Sequence, residues 1–181
     1  SPATTQEVTE QSLRIRFLDG NPAAHLDGLD KLPSRSNYFI GNDPNQWRTN
    51  VPHHAKVRLE SVYPGVDLVF YGKGKQLEHD FLVAPGADTD QIRLAIEGAE
   101  RVSPKANGDL GLTVRDGELI LRAPVAYQES EGGRERVHAR FLLAVNGQVG
   151  FEVGPYDTAR PLIIDPVLSY STYLGGGAFN V

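Results

Sequence analysis

Val66-Asp-Leu-Val-Phe-Tyr-Gly-Lys-Gly-Lys-Gln-Leu-Glu-His-Asp-Phe-Leu-Val83 reads as two strands folded about Gly72-Lys73-Gly74-Lys75. Apolar side chains recur at every second position on both sides of the glycines, the period of a half-buried antiparallel pair. A loop of two or four residues pairs positions whose numbers sum to 147, which sets Asp67 opposite Asp80, Val69 opposite Glu78 and Tyr71 opposite Gln76. Leu68, Phe70, Leu77, His79 and Phe81 then share one face, and Asp67, Glu78 and Asp80 share the other. Three carboxylates on one small patch repel one another. The patch therefore needs a base such as Lys56 or Arg58, a bound cation such as calcium, or a shared proton. A base implies a scaffold, a cation a stabilising metal site, and a shared proton in a cleft acid-base hydrolysis.

The same rhythm continues outward. Asp19-Gly20, Asn107-Gly108, Asp116-Gly117, Gly132-Gly133 and Asn146-Gly147 are turn dipeptides between runs of period-two apolar residues. Leu13, Ile15 and Phe17 alternate with Arg14 and Arg16, residues 110–114 and 118–121 flank Asp116-Gly117, and residues 140–145 and 149–153 flank Asn146-Gly147. Glycines and prolines are spread too evenly for long helices, and only residues 88–92, headed by Asp88, predict a short helical turn. The expected fold is all-β, an antiparallel β-sandwich built from hairpins.

Residues 23–50 lack sustained alternation and are rich in Asn, Asp, Pro and Ser, which predicts one long structured loop across the sandwich. It carries Trp47, the sole tryptophan, beside Asn45, Gln46 and Arg48. Trp47, Tyr38 and Arg48 would suit a glycan or partner contact, with the indole as a stacking platform. Equally, Trp47, Tyr38 and Phe39 would pin the loop onto the core.

Composition bounds the remaining classes. The chain has 181 residues, 40% hydrophobic, with a mean hydropathy of -0.33 and a formal net charge of -5. That is enough for one buried core, and it carries no basic footprint for nucleic acid. No apolar run reaches the 18 residues of a membrane span. Without cysteine there is no thiol chemistry, and without methionine residue 1 is not a translation start, so signal-peptide removal from a secreted protein is expected. His53 and His54 are neighbours whose side chains would leave a strand on opposite faces, unsuited to one metal, and His79 falls on the apolar face as a core histidine. The nucleophile-elbow, zincin and phosphate-loop motifs are absent, so no catalytic residue and no cofactor is indicated.

The tail Arg160-Pro-Leu-Ile-Ile-Asp-Pro-Val-Leu-Ser-Tyr-Ser-Thr-Tyr-Leu-Gly-Gly-Gly177 reads as a buried strand over residues 162–168 followed by an alternating segment. Its Asp165-Pro-Val-Leu-Ser-Tyr-Ser-Thr-Tyr-Leu-Gly-Gly176 resembles the junction between an N-terminal domain of unknown function and the first repeat of bacterial β-propeller repeat proteins, the SBBP repeats. Residues 36–52 (Ser-Asn-Tyr-Phe-Ile-Gly-Asn-Asp-Pro onward), 62–72, 77–88 and 123–128 resemble that family's N-terminal domain in the same order, with His79 where an aromatic, usually tyrosine, is expected. The resemblance spans roughly residues 12–176 and names no catalytic residue.

The resemblance implies a large secreted or surface-displayed bacterial protein with a leader at 1–11, a sandwich domain at 12–168 and, from 169 to 181, the start of a propeller repeat or an exchanged edge strand. The expected function is a non-catalytic extracellular scaffold or interaction module that packs on or caps the downstream propeller and aids assembly or adhesion. Two alternatives stand beside it. One is a carbohydrate-binding or glycan-active domain using Trp47 and the acidic patch; the other is self-association by donation of the strand bearing Leu168, Tyr170, Tyr173 and Leu174.

Overall fold

The computed structural model describes residues 12–73, 76–115, 117–166 and 168–169. Among them, fifteen strands form three wholly antiparallel sheets. Chain order begins with β1 (Arg14–Phe17), β2 (His25–Tyr38), β3 (Arg48–Tyr63), β4 (Val66–Lys73) and β5 (Gln76–Val83). It continues through β6 (Leu94–Glu97), β7 (Arg101–Pro104), β8 (Leu110–Val114), β9 (Gly117–Leu121) and β10 (Val125–Ser130). The last are β11 (Gly133–Val137), β12 (Ala139–Leu143), β13 (Val149–Val153), β14 (Leu162–Asp165) and β15 (Leu168–Ser169). The only helical element among the described residues is a single 3-10 turn, Pro44–Gln46. The expected all-β, sandwich-like class holds.

The largest sheet runs β11-β10-β14-β5-β4-β3-β2, and two four-stranded sheets run β1-β6-β13-β12 and β15-β9-β8-β7. One core joins all three. Leu68, Phe81, Val83, Leu162 and Ile164 come from the large sheet, Leu94, Val149 and Phe151 from the second, and Leu110, Leu112 and Leu121 from the third. Residues one position along each strand point away from this core, as the period of two requires.

Four expectations need correction. The β4–β5 register sums to 149, not 147: Lys73 pairs with Gln76, Val69 with Asp80, and Asp67 with Leu82. The cause lies upstream, where Pro64 and Gly65, the latter at φ +71°, turn the chain between β3 and β4. With β4 unable to start before Val66, the complete eight-pair ladder forms only in the shifted register. A slip of two preserves every face assignment but moves Asp67 two residues away from Asp80.

Residues 23–50 are not one long loop. They contain all of β2, whose 14 residues pair with the 16 of β3 across register shifts after Lys31 and Ser36, with Asp30 and Asn50 in left-handed conformations. Only residues 39–47 form the connection. Nor is 162–168 a single strand: Pro166, which has no N–H to donate, lies between β14 in the large sheet and β15, which pairs with β9 in another. Residues 88–92 make a turn rather than a helix, with Asp88 Oδ1 accepting from the Asp90 amide at 2.9 Å and the Ile92 amide donating to Thr89 O at 3.1 Å.

Candidate functional site

The acidic patch sits on the outer face of the large sheet, yet its members differ from those read in the sequence. Asp67 leaves the group: its Oδ1 accepts from the Ser61 amide at 2.7 Å, and Arg58 Nη1 lies 3.9 Å from its Oδ2. Arg58 also contacts Asp27 at 3.5 Å and pairs with Glu60. This part of the face is an ion-pair scaffold of the kind a basic partner would build.

In place of Asp67, the topology brings in Asp165. Ile164 of β14 pairs with Phe81 of β5, so continuing the ladder by one residue sets Asp165 beside Asp80, while on its other flank Asp165 pairs with Val125 of β10. Glu78, only 5% exposed, receives Lys73 Nζ at 3.2 Å. Asp80 Oδ1 accepts from the Tyr71 hydroxyl at 3.0 Å. Asp165 Oδ1 is buried without a hydrogen-bond partner. The Arg134 guanidinium, which would be the nearest base from β11, lies over the Tyr127 ring at 4.2 Å.

The electrostatics follow. Burial pushes the Asp165 carboxyl up to about 6, and the charges of Asp80 and Glu78 push the same way. Asp80 is also raised, mainly by burial, against the lowering effect of the Tyr71 hydrogen bond. Burial, and then the bond to Asp80, raise the Tyr71 hydroxyl. Among the described residues no three His, Asp or Glu side chains are grouped so as to hold a metal ion.

The second candidate cluster lies at the far end of the β2–β3 hairpin. Tyr38 pairs with Arg48, and Asp43 caps the 3-10 turn by accepting from the Asn45 amide at 3.0 Å. Trp47 meets Phe39 edge-on at 5.1 Å, and its indole N–H donates to Gly41 O at 3.2 Å. Asn45, Gln46, Trp47 and Arg48 line an open cavity of about 420 Å³. These aromatics do not pin a loop to the core. Phe39 is 61% exposed, Ile40 72% and Trp47 39%, and Phe39 and Trp47 meet each other at a tip.

The histidines separate as expected. His53 is held between two hydroxyls, Ser34 Oγ at 3.0 Å from Nδ1 and Ser36 Oγ at 2.7 Å from Nε2, whereas the His54 ring lies against Gly28 so closely that a Cβ there would stand 2.6 Å from it. His79 packs between Phe70 and Phe81, and burial lowers its pKa. Of the strand expected to mediate assembly, Leu168 pairs with Leu121 of its own chain, while Tyr170, Tyr173 and Leu174 lie outside the described residues, as do residues 1–11. Sequence reasoning missed Asp165, Tyr71 and Tyr127. Asp165 was read only as part of a buried strand, and the strands that flank it, β10 and β5, leave no trace in its own sequence.

No helix among the described residues is long and apolar enough to cross a membrane. No curated protein and no solved structure matches this chain. A family model described as Domain of unknown function (DUF7948) matches residues 1–167, nearly the full chain. The chain belongs to the DUF7948 family.

Proposed function

We propose that the domain is a non-catalytic interaction module of a larger secreted or surface-displayed bacterial protein, and that the β2–β3 hairpin is its contact element. One observation carries this reading: β4 pairs with β3 only from Lys56 to Leu59 and at Tyr63, so the remainder of the hairpin runs on as a ribbon without a third strand. Ribbons of two strands are marginal in water unless something packs on them. This one ends in Tyr38, Phe39, Ile40 and Trp47 flanked by Arg35 and Arg48, the residue types that dominate the centres of protein interfaces. The resemblance to SBBP-repeat proteins supplies the partner, a downstream propeller of the same protein, and the extracellular setting.

The test is calorimetric titration of the domain against the repeat region of its parent protein. The double variant Phe39→Ser, Ile40→Ser is expected to weaken binding at least tenfold, about 1.4 kcal/mol. Its melting temperature should stay within a few degrees of the wild type, because both residues are exposed. Unchanged affinity would remove the hairpin from the interface.

A second reading has its own support in the cavity beside Trp47, where Asn45, Gln46 and Arg48 offer polar contacts around an exposed indole. Carbohydrate binding there predicts quenching of Trp47 fluorescence by a hit from a glycan array. A silent array would eliminate that reading.

A further inference from the structure

The outer face of the large sheet contains a carboxylate whose partners do not balance. Asp165 ends β14, between Asp80 on β5 and Val125 on β10. The charged and titratable groups around it are Asp80 and Glu78 from β5, Tyr71 and Lys73 from β4, Tyr127 from β10, Arg134 from β11 and, further out, Lys56 from β3. Each base there is already engaged: Lys73 with Glu78, Lys56 with Asp30 at 2.8 Å, and Arg134 with the Tyr127 ring. A buried carboxylate oxygen without a donor is costly when the group is ionised, and far less so when one proton bridges it to a neighbouring carboxylate.

We propose that Asp80 and Asp165 share one proton, and that this pair is a pH-sensitive latch on the strand by which the chain leaves the large sheet for β15. In the closed form the Asp165 carboxyl donates to the Asp80 carboxylate, whose other oxygen is held by the Tyr71 hydroxyl. Loss of the proton to solvent leaves two facing carboxylates at the last residue of β14. Pro166 follows immediately and adds no ladder hydrogen bond, so the repulsion acts where the strand is held most weakly. The direction in pH follows from the position of Asp165, raised from 3.8 to about 6. Its stabilising contribution is complete below pH about 4 and is lost as pH rises through about 6.

Site-resolved carbon NMR of the carboxyl groups, with melting curves from pH 4.5 to 8.5, tests the proposal on the wild type, Asp165→Asn and Asp67→Asn. Asp165 is expected to titrate near 6, and Asp80 to move toward its ordinary value in Asp165→Asn, whose amide supplies the same donor without a proton to lose. That variant should melt higher than wild type at pH 8 and show a flatter dependence on pH. Asp67→Asn makes the same charge change on the same face and should keep the wild-type slope. Amide exchange over residues 162–165, corrected for its intrinsic pH dependence, should quicken between pH 5 and 8 in the wild type and not in Asp165→Asn. An ordinary titration of Asp165, or equal slopes for the two variants, would overturn the shared proton. A quickening spread uniformly over the domain would overturn the latch.

Discussion

Phe81→Ala is expected to remove about 3–5 kcal/mol of folding free energy, a large fraction of the about 5–15 kcal/mol that a domain has. Phe81 is fully buried on β5 and meets Phe17 of β1 edge-on at 6.0 Å and Phe151 of β13 at 5.6 Å, so one ring joins the large sheet to a facing one. Phe151 in turn contacts Phe141 of β12 at 5.6 Å. Truncation removes the apolar transfer term and leaves a void that three strands in two ladders cannot close without breaking pairs. Urea unfolding should show the midpoint falling by about 1.5–3 M with the slope preserved. Val145→Ala, on a fully exposed turn, should leave the midpoint where it was. A loss under about 1 kcal/mol at Phe81 would mean that the sheets repack, and that the aromatic cluster is not what fixes their spacing.

The parts of the fold that sequence reasoning reached are those whose causes are local. Asn146-Gly147 announces the β12–β13 turn, and the structure supplies the reasons: Gly147 sits at φ +80° and Asn146 Oδ1 accepts from the Gln148 amide at 3.2 Å. Alternation separated the faces of β4 and β5 correctly, because face depends only on parity. Register depends on the turn before β4 as well as the one after it, and Pro64-Gly65 was not weighed. Strand β2 escaped notice because it buries almost nothing, so its sequence carries no alternation. It is a strand because β3 pairs with it. Composition left Trp47 open to either a glycan or partner contact or a pin onto the core, whereas its place at a tip follows from the length of that hairpin. Asp165 could not be assigned to the acidic patch from sequence, because β14 lies between β10 and β5, the latter about eighty residues away. Pairing at that separation leaves no mark in either strand.

Gln128→Leu carries the second largest expected effect, through hydrogen bonds rather than packing. The Gln128 side chain, 2% exposed, accepts from the Asp157 amide at 3.0 Å. Its two N–H groups are shared among the carbonyls of Asp157 at 2.9 Å, Arg160 at 3.2 Å and Pro161 at 3.2 Å. A single amide thus ties down the segment that delivers the chain into β14. Leucine fills the volume but returns none of these bonds, and each buried group left unpaired costs about 1–3 kcal/mol. Water can reach part of this segment, since Asp157 and Pro161 are exposed, so a total of about 3 kcal/mol is expected rather than the full sum. Gln128→Glu should be worse at neutral pH, because a carboxylate would then face three carbonyl oxygens, and it should recover in acid as the group takes up a proton. The two variants also bear on the latch. If Gln128 sets where β14 begins, and so where Asp165 ends it, Gln128→Leu should bring the Asp165 titration back toward 4 while the protein is still folded. A variant that loses stability with the Asp165 titration unmoved would show that β14 is positioned by its ladder with β5 alone.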